Sequence, residues 1–252
     1  FDTQEFIKYK SFRAKEDSRY MSFVLPSFMG RAPYGPNGIV IEGLNYNEKI
    51  DNHNDFLWIN SIFAFLQRVG DAFEKYNWFS AIVGPETGGM VPNLPTYLYK
   101  TPNGDKVIKC PTESAITDRR ERELSQQGII SLCYSKDSDY SVFFSCQSAN
   151  KPTKFDSAVA TSNAILSSRF QYILNVSRFS HYLQCIMRDK IGSFTSKEIL
   201  ENFLNDWLSQ YILLNEVSDM ETNAEYPLRE GYVQIEESPT NPGKFDAIIY
   251  LR

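Results

Sequence analysis

The chain has 252 residues, of which 42% are apolar and 23% charged, an ordinary globular composition with length enough for one large domain or two smaller ones. A formal net charge of -5 without a dominant basic stripe argues against a nucleic-acid-binding groove. Charged or polar residues interrupt the apolar runs well before the ~20 residues that a membrane helix needs, and no secretory signal pattern stands at the start.

Four cysteines, Cys110, Cys133, Cys146 and Cys185, lie far apart and form no C-x-x-C pair. This spacing is typical of reduced thiols in a cytoplasmic protein, and not of a zinc site or a disulfide framework. Because the sequence begins with Phe1 and not with methionine, we expect it to be a piece of a longer protein.

The first elements are predicted to be a helix, a strand, a loop and a second helix. Residues 2–17 mix apolar and charged residues in a helical pattern, and residues 19–25 alternate as a strand that Pro26 ends. Residues 30–47 are rich in Gly, Pro and Asn and predict a loop. A broad apolar face predicts a helix over residues 55–76. That face comprises Leu57, Ile59, Ile62, Phe63, Leu66, Val69 and Phe73.

A short strand, a glycine-rich loop and a hairpin follow. Residues 78–83 are apolar and predict the strand. Residues 84–89 are only weakly suggestive of a phosphate loop, because residues 90–92 prevent the helix N-terminus that an anion site needs, and a tight structural loop is favoured. Residues 97–100 and 106–110 are predicted to be hairpin arms around an Asn-Gly turn.

The sequence then changes to longer, better-capped elements, and we place a domain boundary that separates residues 1–110 from residues 111–252. A short charged helix is predicted over residues 118–127, ended by a glycine. Asp118 and Glu121 form a D-x-x-E pattern, which is typical of a capping pair at a helix start.

Two strands and two long helices are predicted in the second half. Residues 129–134 and 140–146 have strand character, and residues 158–190 keep a helical period throughout. A T-x-x-E pattern, with Thr195 as the cap, predicts a further helix that extends to Ile212. A polar loop is predicted over residues 216–225.

The last residues, 230–252, are predicted to form a β-hairpin, with arms at 231–237 and 245–251 and a turn at 238–243. An isolated hairpin is at best marginally stable in water, so it needs partner strands. Those strands come either from the body of the same chain or from other chains that add to an exposed edge. The residues that such pairing would use are Tyr232, Val233, Gln234, Ile235, Phe245, Ala247, Ile248, Ile249 and Tyr250.

Catalytic patterns are sparse. His53 lies in an Asn/Asp-rich stretch and His181 within a predicted helix, and we interpret neither as a catalytic base. The sequence has no G-x-S-x-G, H-E-x-x-H or calcium-loop pattern. We therefore predict no enzyme, no metal and no cofactor. An enzymatic site in the loops at residues 30–47 and 84–93 stays open as an alternative.

The densest cluster of charges lies at residues 118–123. On a helix such residues mostly pair with one another at the surface, or they face a neighbouring chain, where arginine is enriched. The candidate inter-subunit charge contacts are Asp118, Arg119, Arg120, Glu121 and Arg122.

Several long motifs, in the expected order, carry a family resemblance. They are Ser11–Arg13, Glu16–Tyr20, Arg31–Gly35, Lys109–Glu113, Ile116–Glu121, Val176–Phe179, Met187–Phe194 and Tyr226–Glu230. Together they resemble the large subunit of the type VI secretion system contractile sheath, the TssC/VipB family, although Ala32 stands where that family more often has Leu. The motifs are most similar to those of the intracellular growth locus branch (IglB), the version found on pathogenicity islands. Members are longer than this chain, so the resemblance implies a C-terminal half.

The resemblance implies an α+β, phage-tail-sheath-like fold without enzymatic activity. Residues 1–110 would be a middle sheath region, and residues 111–252 a C-terminal sheath domain. The terminal hairpin, residues 230–252, would join a sheet that is shared between chains.

The resemblance also implies partners. The chain would pair with a small sheath subunit, and neighbouring heterodimers would form a helical tube around an inner tube of hexameric rings. A baseplate and a recycling hexameric ATPase would be further partners, with no nucleic acid and no direct membrane insertion. The resemblance implies that the protein is located in the bacterial cytoplasm, with the sheath anchored to the envelope through other components. A phage-tail or R-type bacteriocin sheath is an alternative. A requirement for a second, smaller subunit would distinguish a type VI sheath from these single-component sheaths.

Overall fold

The computed structural model describes residues 3–136, 138–190, 196–213, 219–237 and 245–252. The chain divides into two compact units. One contains residues 1–72 and 81–170, and the other contains residues 73–80 and 171–252. The boundary predicted near residue 110 therefore falls inside the first unit.

Helices and strands occur in both units, as predicted for a mixed α and β fold. The helices of the described residues are α1 (Ile7–Arg13), α2 (Ile62–Tyr76), α3 (Asp118–Gln126), α4 (Ala158–Ser167), α5 (Phe170–Lys190), α6 (Lys197–Ser209) and α7 (Met220–Glu225). The strands are β1 (Phe23–Leu25), β2 (Phe28–Met29), β3 (Trp58–Ile59), β4 (Met90–Val91), β5 (Leu98–Lys100), β6 (Lys106–Ile108), β7 (Ile129–Tyr134), β8 (Ser141–Phe143), β9 (Gly231–Glu237) and β10 (Phe245–Leu251). Among these residues no helix is both long and apolar enough to cross a bilayer.

A four-stranded sheet in the order β1-β7-β8-β4 organises the first unit. β1 is parallel to β7, with Val24 opposite Ile130, and the other pairings are antiparallel. Because β1 precedes residue 110 and β7 follows it, this pairing joins both sides of the predicted boundary. Phe65 of α2 meets the buried Phe143 of β8 edge-on, with ring centroids 5.4 Å apart.

The N-terminal elements differ in their bounds from the prediction. The helix predicted over residues 2–17 contains only α1 with short 3₁₀ turns beside it. The strand predicted from residue 19 begins at Phe23, because Glu16–Tyr20 forms one of those turns. Leu25 ends the strand immediately before a proline, as predicted.

Helix α2 begins at Ile62, later than predicted, because β3 pairs with β2 in the segment that was expected to be helical. Its core face is also different. Ala64 and Phe65 are buried, whereas Phe63 and Leu66 are more than half exposed. A helical period of apolar residues thus marks the helix here but does not identify the side that faces the core.

The connecting segments of the first unit follow the prediction in part. Residues 78–83 form bends and not the predicted strand. Residues 84–89 form a tight loop, in which Gly84 and Gly88 have φ angles of 86° and 100°, the left-handed region that glycine adopts easily. The hairpin of β5 and β6 is confirmed.

The single helix predicted over residues 158–190 is two helices, α4 and α5. Between them the main chain leaves the helical path to bond the segment after β8. Ser148 donates its N–H to the carbonyl of Ser168 at 3.0 Å, and Phe170 donates to the carbonyl of Cys146 at 2.9 Å. Long-range main-chain bonds therefore interrupt a segment whose local pattern is continuous.

The core of the second unit is built around stacked aromatic rings. Trp78 stacks on Phe179 of α5, with ring centroids 4.1 Å apart. Leu183 of α5, Leu204 of α6 and Ile235 of β9 complete the centre of this cluster and are fully buried. The terminal hairpin is thus packed on its own unit through β9.

Three predictions concern the ends of elements in the second unit. The N-cap of α6 is Ser196, whose hydroxyl accepts a main-chain N–H at 3.4 Å, while the predicted cap Thr195 lies outside the described residues. Part of the predicted loop at residues 216–225 is helix α7, with Asp219 as its N-cap. The predicted turn at residues 238–243 also lies outside the described residues.

Candidate assembly surfaces

The terminal hairpin presents one apolar face to its own unit. Val233 and Ile235 are only 2% and 0% exposed, and they pack on the leucines of α6. Ala247 and Ile249 of β10 are partly buried against the same cluster. Burial of this face fixes the register of the hairpin, because a shift by one residue would turn the apolar residues towards solvent.

The ladder between β9 and β10 determines which main-chain groups point outward. Glu230 and Arg252 exchange two main-chain hydrogen bonds, of 3.1 and 2.8 Å. In an antiparallel pair the bonded positions alternate, so Tyr232 with Tyr250 and the pairs two residues further along also bond each other. The residues between them direct their N–H and C=O groups away from the partner strand.

Helix α6 occupies the outer edge of β9. The Asn205 side chain accepts the N–H of Val233 at 2.8 Å and donates to the carbonyl of the same residue at 2.9 Å. Glu201 accepts the N–H of Ile235 at 3.0 Å. These two side chains bond three outward groups at the middle of β9, in the positions that a neighbouring strand would take, so α6 closes that part of the edge.

The outer edge of β10 is open. Its outward main-chain groups belong to Phe245, Ala247, Ile249 and Leu251, by the alternation of the ladder. The carbonyl of Leu251 accepts the Tyr172 hydroxyl at 3.2 Å, and burial raises the pKa of that tyrosine. The other three residues have no hydrogen-bond partner on that side among the described residues.

The outward face of the hairpin exposes apolar and aromatic side chains next to polar ones. Tyr232 and Tyr250 stack across the two strands, with ring centroids 5.0 Å apart. Beside them Ile248 is 53% exposed. Phe245, at the start of β10, lies on the opposite face and is also exposed. Apolar groups beside an unpaired edge favour the addition of a strand from another chain.

The predicted hairpin residues therefore divide into two groups. Val233 and Ile235 support the fold of this chain, and both of their N–H groups and the Val233 carbonyl are already bonded to α6. The remaining predicted residues line the open edge or the exposed face. Sequence reasoning missed Asn205 and Glu201, because a polar pair four residues apart on a helix indicates a shared face but not what that face meets.

Helix α3 presents its arginines to solvent. Arg119, Arg120 and Arg122 are exposed, and Arg119 donates to Glu123 at 3.1 Å, an i,i+4 surface pair. Glu121 differs from the prediction. It is buried and accepts a hydrogen bond from Ser145, so it is no surface contact.

The capping pair predicted for α3 is not formed. The N-cap is Thr117, which makes no side-chain capping bond, and Asp118 is the first helical residue. Buried Glu121 instead faces the sheet, near the Cys133 thiol. The pKa of that thiol is raised to about 12, mainly by burial and further by the charges of Glu121 and Asp118. Cys133 is thus a structural thiol and not a nucleophile.

The loops proposed as an enzymatic alternative are occupied by structural contacts. Arg31 forms an ion pair with Glu48 at 2.6 Å, and this bond holds the pKa of the carboxyl below its usual range. Exposed His53 lies with its Nδ1 2.9 Å from the Lys109 ammonium. Among the described residues no three His, Cys, Asp or Glu side chains are grouped as a metal site would require.

Comparisons with known proteins give a consistent result. Residues 1–150 match the VipB family model, described as EvpB/VC_A0108, tail sheath N-terminal domain, and residues 159–252 match VipB_2, the EvpB/VC_A0108 tail sheath gpW/gp25-like domain. The chain is 39% identical over 255 residues to the type VI secretion system sheath protein TssC1 of Pseudomonas aeruginosa, covering 100% of this chain and 51% of that protein. The chain thus spans about half the length of the curated relative it matches.

A solved structure is also similar. It is the cryo-EM structure of the helical sheath of the anti-feeding prophage in its contracted state, which aligns with a TM-score of 0.41 at 12% identity. The alignment covers 96% of this chain and 61% of that chain.

Replacing Asn205 by alanine is expected to destabilise the second unit, because the N–H and C=O of Val233 lose their partner. We expect a fall of about 1–2 kcal/mol in the free energy of unfolding, measured by urea denaturation with circular dichroism. Asn163→Ala on exposed α4 is the matched control, since it carries the same gain in helix propensity. Equal stabilities of the two variants would show that the Asn205 bonds contribute nothing.

Cys133 is expected to resist alkylation in the native protein. Because its pKa is raised to about 12, the thiol stays protonated at pH 8 to 9, and burial blocks access to it. Iodoacetamide labelling read by mass spectrometry should modify the half-buried Cys110 and Cys185 before Cys133. Unfolding in urea should then expose Cys133. Labelling of Cys133 in native protein as fast as Cys110 contradicts this assignment.

Proposed function

This chain belongs to the VipB family of tail sheath proteins, and from that premise we propose that it is part of a structural subunit of a type VI secretion contractile sheath. The observation that carries the proposal is the open outer edge of β10 beside the closed edge of β9. A strand from another chain completes this sheet, and the shared sheets connect the subunits into a helical tube. The match of both family models to tail sheath domains supports this role.

The donor strand in this proposal comes from a small sheath subunit of a neighbouring heterodimer. The tube surrounds an inner tube of hexameric rings, stands on a baseplate and is recycled by a hexameric ATPase. Contraction then propels the inner tube and its effectors out of the cell from the cytoplasm. Assignment to the intracellular growth locus branch is part of the same proposal, supported by the motifs that carry the resemblance.

The open edge supplies enough free energy for such a link. Three residues, Phe245, Ala247 and Ile249, each present one N–H and one C=O outward, so an added strand forms about six hydrogen bonds. At about 0.5–1.5 kcal/mol net for each bond, the link contributes several kcal/mol. Burial of the exposed Ile248 and Phe245 side chains adds to it.

A non-enzymatic role is consistent with these surfaces. The family and its curated relative are sheath proteins, and the loops considered for catalysis hold structural contacts. A single-component phage-tail or R-type bacteriocin sheath remains the alternative structural role. The requirement for a second, smaller subunit in assembly separates the two, because a single-component sheath assembles from one purified chain.

Replacing Ala247 by proline tests the open edge directly. The N–H of Ala247 points away from β9, so proline removes a donor from the outer edge and leaves the hairpin ladder intact. In the full-length protein co-expressed with its small partner, we expect soluble heterodimer but no tubes by negative-stain electron microscopy.

Two further variants make this test specific. Ala247→Ser keeps the N–H and should assemble normally. Ile248→Pro removes a donor of the hairpin's own ladder and should reduce stability as well as assembly. Tubes of normal yield and length from Ala247→Pro would refute strand addition at β10.

Helix α3 is proposed as a surface that changes partners during contraction, because its arginines are exposed on a rigid element. Reversing the charge of Arg119 and Arg120 to glutamate should alter sheath length or block contraction, as seen by electron microscopy of sheaths in cells. Lys100→Glu with Lys106→Glu, at exposed positions of β5 and β6, changes the net charge equally and serves as the control. Sheaths of normal length and contraction in the double variant count against this role for α3.

A further inference from the structure

A second surface, separate from the hairpin, has the features of a binding site. A cleft of about 590 Å³ opens in the first unit, lined by residues of α1, the end of α3, residues 147–154 and α4. We call it the cationic cleft. Its charged lining residues are Lys10, Arg13, Lys151 and Lys154, and none of the described residues that line it is Asp or Glu. The chain as a whole has a net charge of -5, whereas this cleft is positive. The cleft therefore attracts anions.

Arg13 places a buried positive charge in the wall of this cleft. Its side chain is 5% exposed and donates to the carbonyls of Ala149 and Gln126 and to the Gln127 side-chain oxygen, at 2.9 to 3.0 Å. These acceptors are all neutral. No carboxylate among the described residues pairs with it, whereas buried arginines ordinarily have an anionic partner. Burial accordingly lowers the pKa of the Arg13 guanidinium.

Ser148 provides an independent indication of a ligand. It lines the same cleft and is 1% exposed, and its hydroxyl has no hydrogen-bond partner among the described residues. Buried hydroxyl groups in folded proteins nearly always have a partner. The unpaired hydroxyl and the uncompensated guanidinium line one cleft. Together they favour a ligand that forms hydrogen bonds and carries negative charge.

We propose that the cationic cleft binds an acidic segment of a partner protein. Its Asp or Glu carboxylates pair with Lys151 and Lys154. Its main chain accepts from Gln147 Nε2 and donates to Asn150 Oδ1, because the other amide atoms of these two side chains already bond Ser168, Lys15 and Ser18. Side-chain amides donate and accept together, as a peptide backbone requires. The volume, within the range of about 300–1,000 Å³ that holds extended organic ligands, fits a short peptide and exceeds what a single inorganic phosphate fills.

The test measures binding of a fluorescein-labelled hexapeptide of alternating Glu and Asp by fluorescence anisotropy. Reversing both lysines, Lys151→Glu with Lys154→Glu, should weaken binding about tenfold, since two pairs become two repulsions. The matched control is Lys100→Glu with Lys106→Glu, which changes the net charge equally at exposed positions of β5 and β6. Lys151→Gln with Lys154→Gln repeats the test without added repulsion, in case charge reversal disturbs folding.

The outcomes separate the cleft from general charge attraction and from phosphate binding. Equal weakening in the cleft and control variants overturns the proposal, because it shows that only net charge matters. The proposal is also overturned if tripolyphosphate binds, the cleft variants weaken that binding and the peptide does not compete with it. The ligand would then be a phosphate. Peptide binding that is lost only in the cleft variants supports it.

A second measurement uses the full-length protein in its assembled state. Zero-length carbodiimide coupling joins lysine ammonium groups directly to carboxylates that touch them. Crosslinks from Lys151 or Lys154 to Asp or Glu of another chain support the proposal. Coupling at other exposed lysines, with none at these two, overturns it. The peptide measurement does not require strand addition at β10, so the two proposals succeed or fail separately.

Discussion

Satisfaction of main-chain hydrogen bonds at the terminal hairpin is the constraint on which the proposed assembly depends. β9 and β10 satisfy each other along one edge, and the Asn205 and Glu201 side chains satisfy the other edge of β9. Among the described residues, Phe245, Ala247 and Ile249 of β10 keep outward main-chain groups that no protein group bonds. Exchange of water for a strand brings a modest gain per bond, but several bonds in register give a specific and strong link. Because helix α6 covers the edge of β9, the edge of β10 is the one available to an added strand.

The sequence predicts the elements whose signals are local. The hairpin arms at residues 231–237 and 245–251 are confirmed, because alternation with period two is carried by adjacent residues. The extent of α3 follows from its charges and from the glycine after it, which has a φ of 76°. The recognition of the family likewise depends on linear motifs, and these two elements contain the surface residues proposed for assembly.

Features that depend on distant partners could not be predicted in this way. The break between α4 and α5 exists because Ser148 and Cys146 bond the main chain there, and no local signal marks the break. Glu121 points inward because Ser145 meets it from the segment after β8. Phe63 of α2 shows the converse: its place in an apolar period predicts burial, but the side chain is 64% exposed. The bonds between Asn205 and β9 could not be predicted either, because the two partners are distant in the sequence.

An open edge does not by itself produce a tube. Two copies of β10 pairing antiparallel would form an isologous contact, which closes into a dimer and stops growth. A helical array needs a heterologous contact, in which the donor strand differs from the acceptor. Because α6 covers β9, this hairpin offers one acceptor edge, and in the proposed assembly each subunit takes one strand. In that proposal a donor on a separate, smaller subunit supplies the asymmetry that lets the contacts repeat without closing.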